Sequence, residues 1–126
     1  MTDPKPFSPK ARVRSFTFAL RGFAYVIRTQ HNMWVHLLAG LAVVAFGLFL
    51  HLSRADWLWL IASIAFVIFA EIMNSAFEFL CDVVTKEFNP AVEKAKNIAA
   101  AAVLVAAFAA VLIGLLVFWP PVAARL

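Results

Sequence analysis

Three long apolar segments alternate with short polar ones along this chain of 126 residues. The first covers about residues 34–52, the second about 57–80 and the third about 98–119. Each is close to the ~20 residues that a helix needs to cross a ~30 Å hydrocarbon core. The pattern therefore predicts three transmembrane helices, and Pro120 and Pro121 are expected to stop the third because proline cannot continue a helix.

A further helix is predicted ahead of these spans, over about residues 10–31. Apolar side chains recur there at steps of three and four residues, and cations line another face. Such an amphipathic helix is typical of a membrane-surface anchor, held by apolar burial and by attraction to anionic headgroups. Arg14, Phe18 and Arg21 also fit a second interpretation, a lid over a nucleotide in which cations contact phosphates and aromatic rings contact a base.

Composition supports a membrane protein, because hydrophobic residues make up 64% of the chain and its mean hydropathy is +0.89. A soluble domain is roughly half apolar. We predict one membrane domain over residues 1–126, an all-α helical bundle with a surface helix and three spans. Six cations precede the first span, whereas the turn after it holds only Arg54, balanced by Asp56. The positive-inside rule then puts the N-terminus in the cytoplasm and the C-terminus outside.

Polar residues return at the end of the second span, where the chain reads EIMNSAFEFLCD. Ionisable side chains at membrane depth are costly, so they indicate a functional site. Glu71, Asn74, Glu78 and Asp82 follow at three, four and four residues, which puts them on one face of a helix. At ~1.5 Å per residue, Glu71 lies ~21 Å from Trp57, inside the inner leaflet, and Glu78 lies ~31 Å from it at the water boundary. This polar stripe therefore suits a site that takes one substrate from lipid and one from water.

The third span is preceded by its own polar signals. Asn89 and Pro90 predict an N-cap and a first helical position, so the helix begins in water. Lys96 and Asn97 then fall near the depth of Glu78 and are expected to approach the stripe. The many alanines that follow predict close helix packing, within one subunit or between subunits.

These residues resemble those of the small prokaryotic diacylglycerol kinases, a family that includes the undecaprenol kinases. The resemblance rests on EIMNSAFE at 71–78, on HNMWVHL at 31–37, on KAKNIAAAAVL at 94–104, and on Arg21, Gly22 and Asp82. It implies a homotrimer of three-span subunits that transfers the γ-phosphate of ATP to a lipid hydroxyl, in a site shared between subunits. That site would lie at the cytoplasmic face of the bacterial inner membrane, and no nucleic-acid partner is expected.

The resemblance also implies roles for individual residues. Glu71 would be the general base for the lipid hydroxyl, and Asn74 would orient the reacting groups. Glu78 would bind the nucleotide through Mg²⁺, with Gln30 as a second metal ligand, and Lys96 would neutralise phosphate charge. Four further residues are expected to contact the nucleotide: Arg14, Phe18, Arg21 and Asn97. Asp82 is expected to support the site.

Two positions depart from the family pattern. Gln30 stands where many members carry a metal-binding Glu, and Asn97 stands where the family usually has Asp. Each change removes a negative charge, so metal affinity should be weaker. An alternative is therefore a weak or inactive relative that binds lipid and nucleotide without turnover. The spacing of the residues does not separate diacylglycerol from undecaprenol, and the family name alone gives diacylglycerol a slight preference.

Other interpretations of these residues stay open. Glu71 and Glu78 could be the proton-coupling pair of a small transporter, although their position in the cytoplasmic half disfavours transport. Asp82 could simply end the second helix in water. His36 is expected to be a hydrogen-bonded interface residue rather than a metal ligand, because no second His or Cys stands at ligand spacing.

Overall fold

The computed structural model describes residues 8–126, and this part of the chain is helical almost throughout. Its four helices are α1 (Pro9–Thr29), α2 (His31–Leu50), α3 (Arg54–Val84) and α4 (Pro90–Ala123). The last three are long and apolar enough to cross a membrane. The all-α class and the three long apolar helices are thereby confirmed, while the oligomeric state and the position of α1 on the membrane surface stay predictions.

Polar side chains cap the start of two of the long helices, at the predicted Asn89 for α4 and at Ser53 for α3. The Asn89 side chain accepts a hydrogen bond from the Ala91 amide at 2.9 Å, and Pro90 opens α4. At the start of α3, Ser53 accepts from the Asp56 amide at 3.2 Å while the Asp56 carboxylate accepts from the Ser53 amide at 3.3 Å. This capping box satisfies backbone donors that a helix start otherwise leaves free. It starts α3 at Arg54, a few residues before the predicted span.

The end of α4 differs from the prediction. The helix includes Pro120 and Pro121 and ends at Ala123, so the expectation that these prolines stop it is wrong. A proline lacks the N–H that would bond to the carbonyl four residues earlier, so Pro120 and Pro121 leave the Leu116 and Val117 carbonyls without that bond. Here both lie in the last turn, which is closed by a bond from the Ala124 amide to the Pro120 carbonyl at 3.1 Å.

Packing is closest between α3 and α4. Val67, Ala70 and Ala106 form the buried contact, and Val103 and Ala110 pack around it. Small side chains let helix backbones approach each other, which is how helices associate in membranes without a water-driven hydrophobic force. The alanines of α4 therefore allow the close helix packing that the sequence predicts.

The length of α3 decides where the polar stripe lies. Its 31 residues extend ~46 Å, longer than the ~30 Å hydrocarbon core, so at least one end projects beyond it. From Trp57 to Ala70 it is apolar apart from Ser63, and Glu78 and Asp82 occupy its last two turns. The stripe thus sits where the helix leaves the apolar region.

Candidate active site

Glu71 is the most deeply buried ionisable residue of the stripe, with 1% of its surface exposed. Neither of its carboxylate oxygens has a hydrogen-bond partner among the described residues. The nearest basic atom is Nε2 of His36 on α2, which lies 3.7 Å from Oε2. Buried polar groups are nearly always satisfied, so a carboxylate left in this state calls for a functional explanation.

Asn74 lies one turn further along α3 and is also buried. Its Nδ2 donates to Oε1 of Glu78 at 2.9 Å, while its own Oδ1 has no partner within residues 8–126. The amide therefore fixes the orientation of the half-buried Glu78 carboxylate. Ser75 takes no part, because its hydroxyl donates to the Glu71 backbone carbonyl at 2.8 Å.

Asp82 joins the stripe to α4. Its Oδ1 lies 2.5 Å from Nζ of Lys96, and both side chains keep access to solvent. The predicted meeting of the stripe with a lysine at the start of α4 is therefore observed. An exposed ion pair contributes little to stability, so Lys96 could exchange Asp82 for another anion at small cost. An open pocket of about 480 Å³ is lined by both members of this pair and by Thr85, Lys86 and Glu93 among others.

The other predicted residues make no hydrogen bond or ion pair to this centre within the described chain. Gln30 is half-buried and caps α1, with its backbone amide bonded to the Val26 carbonyl at 2.9 Å. Four more are exposed and make no hydrogen bond or ion pair to the stripe within the described chain: Arg14, Phe18 and Arg21 on α1, and Asn97 on α4. The structure brings together Glu71, Asn74, Glu78, Asp82 and Lys96, and the nucleotide-binding role of the remainder stays a prediction.

Two residues that sequence reasoning left out of the site stand beside it. His36 is the neighbour of Glu71. The sequence feature that could have indicated its place in the site is an ionisable side chain inside an apolar span. Tyr25 packs edge-on against Phe79, the residue after Glu78, with ring centroids 6.3 Å apart. This contact places Tyr25, near the end of α1, against α3 beside the stripe, and no local sequence pattern predicts it.

Residues 17–118 match the family described as prokaryotic diacylglycerol kinase. This chain belongs to that family. It is 36% identical over 107 residues to the undecaprenol kinase of Bacillus subtilis (strain 168), covering 85% of this chain and 87% of the relative. The resemblance drawn from the motifs is thereby confirmed.

A second relative carries a different name. The chain is 35% identical over 108 residues to the diacylglycerol kinase of Synechocystis sp. (strain ATCC 27184 / PCC 6803 / Kazusa). The match covers 85% of this chain and 62% of the relative, so it spans somewhat less than two thirds of that protein. The two relatives are named for different lipid alcohols and are almost equally similar to this chain, so their names do not choose its substrate.

Proposed function

We propose that this protein is an integral-membrane lipid kinase that transfers the γ-phosphate of ATP to the hydroxyl of a membrane lipid alcohol, either diacylglycerol or undecaprenol. The observation that carries the proposal is the Glu71 carboxylate, buried on α3 with both oxygens unpartnered, in a chain of this family. A carboxylate that serves only structure would be expected to accept hydrogen bonds. One that is left free can accept a proton from a substrate.

Glu71 is the general base in this proposal. The lipid hydroxyl oxygen attacks the γ-phosphorus of ATP, its proton passes to a Glu71 oxygen, and the bond from phosphorus to the β–γ bridging oxygen breaks to release ADP. Phosphoryl transfer needs little covalent help and depends on positioning and on charge stabilisation. Asn74 contributes the positioning, because its amide holds Glu78 and its free oxygen can take a further contact.

Cations hold the nucleotide in this proposal. Lys96 is close enough to the stripe to contact phosphate oxygens by exchanging its Asp82 partner. Arg14, Phe18, Arg21 and Asn97 are the further nucleotide contacts that we propose.

Oxygen donors suited to magnesium are present in the site. No group of three or more His, Cys, Asp and Glu residues gathers at metal-binding distance in the described part of the chain. Mg²⁺ needs no such cage, since it typically takes one or two carboxylates together with substrate phosphates. Glu78 and the amide oxygen of Gln30 would hold it with ATP, and its charge would offset that of the phosphates.

The same proposal places the site at the cytoplasmic face of the bacterial inner membrane, with the N-terminus in the cytoplasm and the C-terminus outside. The excess of cations ahead of α2 supports this orientation. We further propose a homotrimer. Exposed large side chains on all three long helices leave apolar surface for lipid or for other subunits, as on Leu48, Phe69 and Leu116.

Phosphate transfer in mixed micelles tests the proposal. Purified protein is incubated with labelled ATP and Mg²⁺ and with dioleoylglycerol or undecaprenol side by side, and trioleoylglycerol, which lacks a hydroxyl, serves as the control. We expect label in the phosphorylated form of at least one alcohol and none in the control. Nucleotide and lipid binding without transfer to either alcohol would favour the inactive relative and overturn the proposal.

A further inference from the structure

His36 stands at the same depth as the candidate base, because α2 and α3 run in opposite directions and are joined by the short segment 51–53. His36 lies 14 residues before the end of α2, a rise of ~21 Å. Glu71 lies 17 residues after the start of α3, a rise of ~26 Å. The two side chains therefore meet, and Nε2 of His36 is 3.7 Å from Oε2 of Glu71.

Two other polar side chains near Glu71 along α3 are engaged elsewhere. The Asn74 amide donates to Glu78 at 2.9 Å, and the Ser75 hydroxyl donates to the Glu71 backbone carbonyl at 2.8 Å. His36 differs from them, since its side chain makes no hydrogen bond and no other ion pair within residues 8–126. Its imidazole is therefore a free donor beside a carboxylate that is 1% exposed and has both oxygens unpartnered.

The separation of 3.7 Å is wider than a hydrogen bond, which for N–H···O extends to about 3.2 Å. Catalytic hydrogen bonds are often long in the free enzyme and tighten when the substrate binds. Closing this gap is favourable, because a buried charge is costly unless it is hydrogen-bonded. The His36 side chain is 18% exposed, so little water competes for its nitrogen.

We propose that His36 is a positioning residue for the base: its Nε2–H donates to Oε2 of Glu71 when the lipid alcohol binds and leaves Oε1 to receive the hydroxyl proton. This inference rests on the proposed function and adds a residue to it. His36 keeps its own proton and acts only through Glu71. A carboxylate held at one oxygen keeps the other in place, and a base must lie within hydrogen-bond reach of the proton that it takes.

Three substitutions of His36 separate this role from packing. His36→Leu removes the donor and suits the largely apolar groove that His36 lines between α2, α3 and α4. His36→Gln carries an amide donor that reaches the position of Nε2, and His36→Asn carries the same amide one carbon short of it. Ser63→Ala is the matched control, because Ser63 lines the same groove ~12 Å along α3 from Glu71 and donates to the Leu60 carbonyl at 2.9 Å.

Steady-state phosphate transfer is measured with whichever of dioleoylglycerol and undecaprenol the wild type phosphorylates. We expect kcat to fall about 10- to 100-fold in His36→Leu and His36→Asn and to stay within about threefold of the wild type in His36→Gln, since a hydrogen bond to a charged group has that strength. The KM for ATP should not change, and Ser63→Ala should match the wild type. Added to Glu71→Gln, His36→Leu should change kcat by less than about twofold, because residues that act as a unit are not additive.

The possible failures are distinguishable. Wild-type protein that phosphorylates neither alcohol would refute the proposed function itself. With an active wild type, an unchanged kcat in His36→Leu, equal losses in the Asn and Gln variants, or a further large loss on adding His36→Leu to Glu71→Gln would refute the positioning role alone. Loss of the wild-type oligomeric state in all three His36 variants, measured by size-exclusion chromatography with light scattering, would show an interface role and overturn the proposal as well.

Discussion

Replacing Glu71 by Gln should make the protein more stable while it removes the base. The side chain is 1% exposed, both oxygens lack partners, and the closest cation candidate, His36, is 3.7 Å away. Glutamine keeps the size and shape of the side chain and removes only the capacity for charge. The folded protein should therefore lose a destabilising group without losing a hydrogen bond.

The size of the effect follows from the cost of burial. An amide buried without a partner costs about 1–3 kcal/mol, whereas an unpaired carboxylate in the same place costs several. We expect Glu71→Gln to gain about 1–3 kcal/mol, which corresponds to a rise in Tm of several degrees for a chain of this size. Glu78→Gln is the control, because an amide oxygen can still accept the bond from Asn74, and its stability should change by less than about 1 kcal/mol.

Thermal unfolding in detergent micelles, followed by tryptophan fluorescence, measures this difference. An unchanged or lower Tm for Glu71→Gln would refute the reasoning, since it would mean that the carboxylate is well satisfied in the folded protein. The gain in stability joined to a loss of activity would be the pattern expected of a residue kept for function at some cost to the fold.

Three further substitutions probe other parts of the structure. Asn74→Leu removes the bond that orients the carboxylate four residues on, so the KM for MgATP should rise about tenfold or more, and an unchanged KM would deny Asn74 this role. Lys96→Met should raise the KM for ATP while Lys94→Met, an exposed neighbour, leaves it unchanged; equal effects in steady-state assays would argue against a specific phosphate contact. Gly47→Ala should lower stability by about 1–3 kcal/mol in thermal unfolding, because a Cβ there meets an indole carbon of α3 at 3.0 Å, whereas Gly114→Ala meets nothing and should be neutral or stabilising.

The helices of this fold could be predicted from local sequence. The three apolar segments, the Asn89 cap and the alanines of α4 act through length, backbone hydrogen bonding and side-chain size, which the chain carries in consecutive residues. The misjudged end of α4 shows the limit of such rules. Pro120 and Pro121 each remove one backbone bond close to the end of α4, and the helix still continues to Ala123.

The candidate site was predictable along α3 and less so across helices. Spacing alone places Glu71, Asn74 and Glu78 on one face, because a helix has a fixed period. Which α2 residue faces that stripe depends on the angle and register between helices, and no local pattern encodes these. The sequence therefore predicts only an interface role for His36, although it is the nearest basic group to Glu71.

Transfer of labelled phosphate from ATP to a lipid alcohol by wild type, Glu71→Gln and Glu78→Gln proteins tests the central claim most directly. All three are assayed with Mg²⁺ in the same mixed micelles and at matched protein concentration. We predict transfer by the wild type, a loss of about 10²–10⁴-fold in kcat for Glu71→Gln as expected for a general base, and a marked rise in the Mg²⁺ requirement for Glu78→Gln. Equal transfer by all three proteins would contradict the assignment of this stripe as the active site.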